Sequence, residues 1–131
     1  MGVNQETKGL EIITYEGEGY QTLMSFQSWK VAMVSRPAYE FGKPIANLSR
    51  HMETDEVFLL LAGKGKLYTA GNEEDLSEVV ETVFEPMKLY NVKKGTWHAH
   101  SLEEGAKLLI VENSDTGDNN SEFLPPIEPL L

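Results

Sequence analysis

The chain contains three histidines, His51, His98 and His100, and no cysteine. His51 stands in "RHMETDEVFLLLAG", four residues ahead of Glu56 by intervening count, while His98 and His100 stand in "TWHAH". Imidazole and carboxylate groups bind divalent ions, and three or four N and O donors make a site without any thiolate. Residues two apart in an extended chain share a face, so His98 points with His100 and His51 with Ser49. A turn after His51 would bring the Glu56 carboxylate beside it. The same residues have a plain reading: a solvated histidine before a strand, surface charge in "METDE", and a strand end with one histidine packed and one exposed.

The surrounding elements read as strands. "LEIITY" (10–15) has strand character, and "YQTLMSFQSWKVAMVS" (20–35) is rich in aromatic and β-branched residues before Pro37 ends it. "PIANLSRHM" (44–52) alternates, and "EVFLLL" (56–61) is a short apolar run of strand length. There Glu56, Phe58 and Leu60 share one face and Val57, Leu59 and Leu61 the other, as expected for one sheet of a two-layer barrel. A carboxylate at the rim of such a surface needs a partner, which a metal ion or a histidinium would supply. "AGKG" turns the chain into "KLYTA", making 56–70 a hairpin, and without a following helix "GKG" is a turn and not a phosphate loop. "VVETVFE" (79–85) fits a helical stripe or a strand; its valines and Pro86 favour strand. "KLYNV" (88–92), "TWHAHSL" (96–102) and "AKLLIVEN" (106–113) complete the set. Eight or so short strands with frequent turns and hardly any helix predict an all-β barrel or sandwich. Residues 114–131 change character, ending in the Pro-rich "EFLPPIEPLL". They read as an extended tail, with Phe123 and Leu124 buried on the barrel or on a partner.

At 131 residues, 40% of them hydrophobic, the chain suits a single domain with its own core. Its 21 acidic and 11 basic residues give a formal net charge of -10, which argues against nucleic acid and anionic membrane as partners. The start "MGVNQETKGL" lacks an export-type apolar core, and the apolar runs are too short to span a bilayer, so a cytoplasmic protein is expected.

The two histidine stretches resemble the motifs of the cupin superfamily, small double-stranded β-helix barrels of jelly-roll type. The first cupin motif runs His-x-His, three or four residues, Glu, six residues, Gly. Here Ser49, His51, Glu56 and Gly63 keep every interval, with serine in place of the first histidine. The second motif, Pro-x-Gly-x-x-His, is matched at Gly95 and His98, with Lys93 in place of proline and Leu102 where the family has Asn. The likeness covers roughly residues 20–113 and, in these motifs alone, extends to small cupins similar to ureidoglycolate lyase. It implies one jelly-roll domain over 1–131 and a divalent metal ion (Zn, Mn, Fe or Ni) held by His51, Glu56 and His98. It also implies a small-molecule ligand and pairing into a homodimer. Ser49 is a weak donor, so three protein ligands plus water are expected, with His100 alongside as general base. The function this implies is a metal-dependent enzyme of isomerase, lyase or hydrolase type acting on a small oxygenated metabolite. The alternative is a binding module that needs no metal.

Other residues carry less. Arg36 could clamp an anion but more simply pairs with a surface acid. Trp29 and Trp97 suit packing or an interface more than a pocket. Tyr68 and Tyr90 lie in strands without a definable direction. No Ser-His-Asp arrangement is recognisable.

Overall fold

The computed structural model describes residues 5–35, 45–127 and 130. Among these, twelve strands form: β1 (Gln5–Thr7), β2 (Leu10–Ile12), β3 (Gly19–Phe26), β4 (Trp29–Ser35), β5 (Leu48–His51), β6 (Glu56–Ala62), β7 (Gly65–Thr69), β8 (Val80–Val83), β9 (Tyr90–Val92), β10 (His98–Leu102), β11 (Lys107–Asn113) and β12 (Ser121–Leu124). β1 and β2 pair only with each other, and the rest form two five-stranded sheets in the orders β12-β5-β10-β7-β8 and β3-β4-β11-β6-β9. Among the described residues, the strand pairings are all antiparallel. The two sheets face each other across one apolar core, which is the jelly-roll β-barrel that the sequence implies.

Alternation builds that core. In β6, Glu56, Phe58 and Leu60 are buried while Val57 and Leu59 are half-buried and Leu61 is exposed. In β11, Leu108, Ile110 and Glu112 are buried in the same way. Phe58, Leu60, Leu108 and Ile110 meet Leu67, Phe84, Val92 and Leu102 between the sheets. The turn after β6 requires glycine. Gly63 has φ +75°, and a Cβ there would fall 2.6 Å from Cα of Ala106, closer than any side chain tolerates.

Several expected boundaries move. Residues 20–35 are not one run: Gln27, at φ 50°, turns the chain so that Phe26 pairs with Trp29 and β3 folds back on β4. The strand expected over 10–15 stops at Ile12. The 79–85 segment does contain a strand, β8, at a sheet edge. The count exceeds eight because of this split, the β1-β2 hairpin, and β12, which adds residues 121–124 to the sheet edge beside β5. Leu124 packs against a cluster of Leu48, Ala70 and Trp97. Phe123, in contrast to its expected burial, is 49% exposed, because its register opposite Ser49 turns it to the inner, cavity side. Arg36 lies outside the described residues. No helix among the described residues is long and apolar enough to cross a membrane.

Candidate metal centre

His51 ends β5, His98 begins β10, and the two strands are neighbours, with His98 opposite Ser49. Glu56 begins β6 in the facing sheet. Two turns bring the three together. The Gly95 N–H donates to the carbonyl of His51 at 2.8 Å, which joins the two motif segments directly. The Asp55 carboxylate accepts from the Lys94 N–H at 2.9 Å and from Asn91 at 3.1 Å. It therefore holds the turn before His98 against the turn before Glu56, and these bonds keep its own pKa below the usual value. The acidic turn "METDE" is thus a brace, though its sequence reads as surface charge.

The result is a convergence of three donors. Nε2 of His98 lies 2.8 Å from Oε1 of Glu56, and Nε2 of His51 lies 3.0 Å from the same oxygen. One ligand atom from each residue falls within 4.8 Å of the others, so the group could hold a metal ion. The opposite ring nitrogens are also engaged: Nδ1 of His98 with the Thr96 carbonyl at 2.9 Å, and Nδ1 of His51 with the Ser121 hydroxyl at 2.7 Å. Such outer partners orient metal-binding histidines. Both rings present Nε2 inward.

Proton inventory makes the site specific. The Thr96 carbonyl accepts only, so Nδ1 of His98 must carry a proton. The Glu56 carboxylate also accepts only, so Nε2 must carry one too unless a cation takes its place. His98 thus lies between two acceptors, an arrangement that favours its protonated form or a cation in place of the Nε2 proton. Burial alone would lower its pKa, but the hydrogen bond and charge of Glu56 outweigh that and raise it. Burial likewise pushes Glu56 up, yet the hydrogen bonds from His51 and His98, with their charge, hold it at about 2.

These groups line a cavity of about 610 Å³ between the sheets, a size suited to a metabolite. Ser49 and His100 line it as well. His100 points to the same side as His98 and packs its ring 5.8 Å from that of Phe58. The sequence reading missed four further wall residues: Tyr20, Lys30, Glu112 and Ser121. Glu112 is 8% exposed. Burial, and then the charge of Glu56, push its carboxyl up to about 7 against the opposing pull of Lys30 and His51. Its parity with Leu108 and Ile110 in "LLIVEN" was the available signal; Ser121, in the polar tail, had none.

The remaining aromatic candidates do not line this cavity. Trp97 is buried beneath the guanidinium of Arg50, which lies 4.5 Å from its ring. Tyr68 is buried away from this cavity, and Tyr90 packs edge-on against Phe84 with ring centroids 5.1 Å apart. Trp29 is 41% exposed beside Phe26.

No protein-family model matches the sequence, and no curated protein matches it. Solved structures do share the fold. Pac13, described as a nucleoside dehydratase, is similar in a Streptomyces variant form solved with uridine. That likeness has a TM-score of 0.63 at 15% identity, covering 94% of this chain and 95% of that one. CapF, a capsular polysaccharide assembling protein of Staphylococcus aureus, aligns with a TM-score of 0.60 at 17% identity over 88% of this chain. That alignment spans 34% of the CapF chain. A cupin-2 domain protein from Shewanella frigidimarina aligns with a TM-score of 0.50 at 16% identity, over 76% and 84% of the two chains. Sheet order and these likenesses make this a cupin-fold protein, in agreement with its two motifs. At such identities the shared property is the fold.

Proposed function

We propose that the protein is a divalent-metal-dependent enzyme acting on a small oxygenated metabolite, by isomerase, lyase or hydrolase chemistry, with His51, Glu56 and His98 as ligands. The observation that carries this reading is the convergence of two Nε2 atoms on one buried carboxylate oxygen, each ring fixed from behind by Ser121 or Thr96. A bound divalent ion would supply Lewis-acid polarisation of a substrate oxygen. The chain's own residues supply the rest. Tyr20 and Phe123, each about half exposed, offer ring faces at the cavity wall, and Lys30 offers a cation inside it. His100, on the cavity wall, would act as the general base that takes a proton from substrate. The substrate class we favour is polyhydroxylated and small, the class of the uridine found with Pac13.

Metal content of the purified protein before and after chelation tests the reading. About one ion per chain is required, and it must disappear in His98→Ala while persisting in His100→Ala, with turnover lost in both. A second reading has one observation in its favour: His98 and Glu56 satisfy each other by hydrogen bonding without an ion. It makes the barrel a metal-free binding module. Undiminished metabolite binding after chelation, in a thermal-shift screen, would select it.

We further propose a homodimer. The outer face of the β3-β4-β11-β6 strands shows Phe26, Trp29 and Leu61 exposed, with Val31, Met33, Val57, Leu59, Leu109 and Val111 half-buried between them. A second copy covering this face would remove the patch from water.

A further inference from the structure

We propose that Glu112 is the fourth protein ligand of the ion, delivering from β11 the donor that Ser49, in the place of a motif histidine, cannot provide. This rests on the metal-centre reading above and adds a residue that belongs to neither motif. The first support is placement. β6 and β11 run side by side with Leu60 opposite Leu108 and Phe58 opposite Ile110. One step further along both inward columns stand Glu56 and Glu112. One sheet thus supplies two histidines, from β5 and β10, and the other sheet two carboxylates, from β6 and β11.

The second support is an unsatisfied atom. Glu112 is buried, and among the described residues its Oε1 has no hydrogen-bond partner. The other oxygen, Oε2, is the tethered one: Lys30 Nζ lies 3.8 Å from it and the Tyr20 hydroxyl donates to it at 3.5 Å. The carboxylate is held from one side and presents a bare oxygen on the other. A buried oxygen left without a partner is strongly unfavourable, and native interiors rarely keep one without a reason. The donor atoms that lie within 4.8 Å of one another are those of His51, Glu56 and His98; Oε1 of Glu112 lies at the edge of that group, 3.9 Å from Nε2 of His51, and would join it by rotation of the Glu112 side chain.

The third support is charge. Two carboxylates on adjacent strands in one buried wall repel each other, and Lys30 approaches only the far oxygen of Glu112. A divalent ion between the sheets would satisfy Oε1 and neutralise the pair together. His100 is the poorer candidate: it stands two residues beyond His98, about 6.5–7 Å along the strand. The end of β11 is held for this task. The Asn113 N–H donates to Thr54 Oγ1 at 3.1 Å, and the Asn113 side chain donates to the Glu53 carbonyl at 3.1 Å. Both bonds reach the turn that leads into Glu56.

The test is zinc titration by calorimetry on the full chain, comparing wild type, Glu56→Gln and Glu112→Gln, with circular dichroism to confirm folding. Loss of an outer partner weakens metal affinity about 10- to 100-fold. Loss of a ligand should exceed that, so Glu112→Gln is expected to fall by more than ~100-fold, with Glu56→Gln falling as well. Any smaller loss in Glu112→Gln overturns the inference and leaves the three-ligand reading standing. Failure of the wild type to bind zinc, manganese, iron or nickel overturns that underlying reading itself. Should Glu112→Gln not fold, a crystal of the wild type grown with zinc decides. Oε1 at about 2.0–2.2 Å from the ion supports the assignment, and Oε1 more than an ångström beyond that range overturns it.

Discussion

The outer faces of the two sheets are both apolar, and they are finished differently. On the β12-β5-β10-β7-β8 sheet, Leu48, Ala70 and Trp97 are covered by Leu76 and Val79 of the loop between β7 and β8 and by Leu124 and Leu130 of the tail. One arginine ties this cover down. Arg50 donates to the carbonyls of Asn72 and Glu73 at 3.1 and 3.0 Å, reaches Glu122 of β12 at 2.6 Å, and stacks on Trp97. Trp97 in turn donates from its indole to the Glu73 carbonyl at 2.8 Å. On the other sheet, among the described residues, Phe26, Trp29 and Leu61 carry no such cover and stay exposed. The sheet sealed by its own chain is the one that presents His51 and His98. The cover thus lies behind the sheet that carries both imidazoles, and the exposed face is the one through which we propose that two copies pair.

Cutting the cover of the sealed sheet should do most damage. Trp97→Ala removes a fully buried ring and the platform of Arg50, and should destabilise by about 3–5 kcal/mol, measured by urea unfolding. An effect below about 1 kcal/mol would mean that the loop and tail are not held by this cluster. Next comes the junction between the sheets. His98→Ala leaves Glu56 buried with only His51 as partner and should destabilise by about 3 kcal/mol, together with loss of metal. An unchanged unfolding midpoint would dissolve the coupling of the two sheets through this pair.

Proton linkage sharpens the same junction. Glu56 titrates at about 2 against an ordinary 4.5, so its contribution is complete above pH 4.5 and fades as pH falls toward 2. His98 titrates above its ordinary 6.5, so its contribution is complete below pH 6.5 and is lost as pH rises through its folded value. Glu112, at about 7, adds a loss as pH climbs from 4.5 to 7. The metal-free protein should therefore melt highest near about pH 5 and at lower temperature at pH 8. Saturating metal should reverse the alkaline loss, since the ion takes the place of protons. A melting temperature that rises from pH 5 to pH 8 without metal would contradict this.

The bare sheet should respond least in fold and most in assembly. Leu61→Glu and Trp29→Glu are expected to change chain stability by no more than about 0.5 kcal/mol at concentrations where the wild type is monomeric. They should halve the mass seen by light scattering where the wild type is dimeric. A monomeric wild type at all concentrations would remove the dimer and leave the exposed face unexplained.

The sequence by itself determined the features whose cause is local. Alternation in "EVFLLL" and "AKLLIVEN" fixes which side chains enter the barrel, because a strand turns every second residue to the same face. The spacing from His51 to Glu56 and on to Gly63 lies within one turn and one strand, so it was legible before any pairing was known. Gly63 and Gly95 mark turns because their positive φ, 75° and 79°, suits glycine, although the close approach of Ala106 to Gly63 is tertiary. Tertiary structure decided what pairing across long separations decides. Arg50 meets Glu122, His51 meets Ser121, and Glu112 comes beside Glu56 only because β12 docks on β5 and β11 on β6. The break at Gln27 was missed because composition records strand character and not where a strand reverses. The acidic turn looked like solvated surface and became a brace of the site because packing brought Asn91 and the Lys94 N–H to Asp55; the tail was expected to pack on the barrel, but only the pairing of β12 with β5 sets Ser121 against His51.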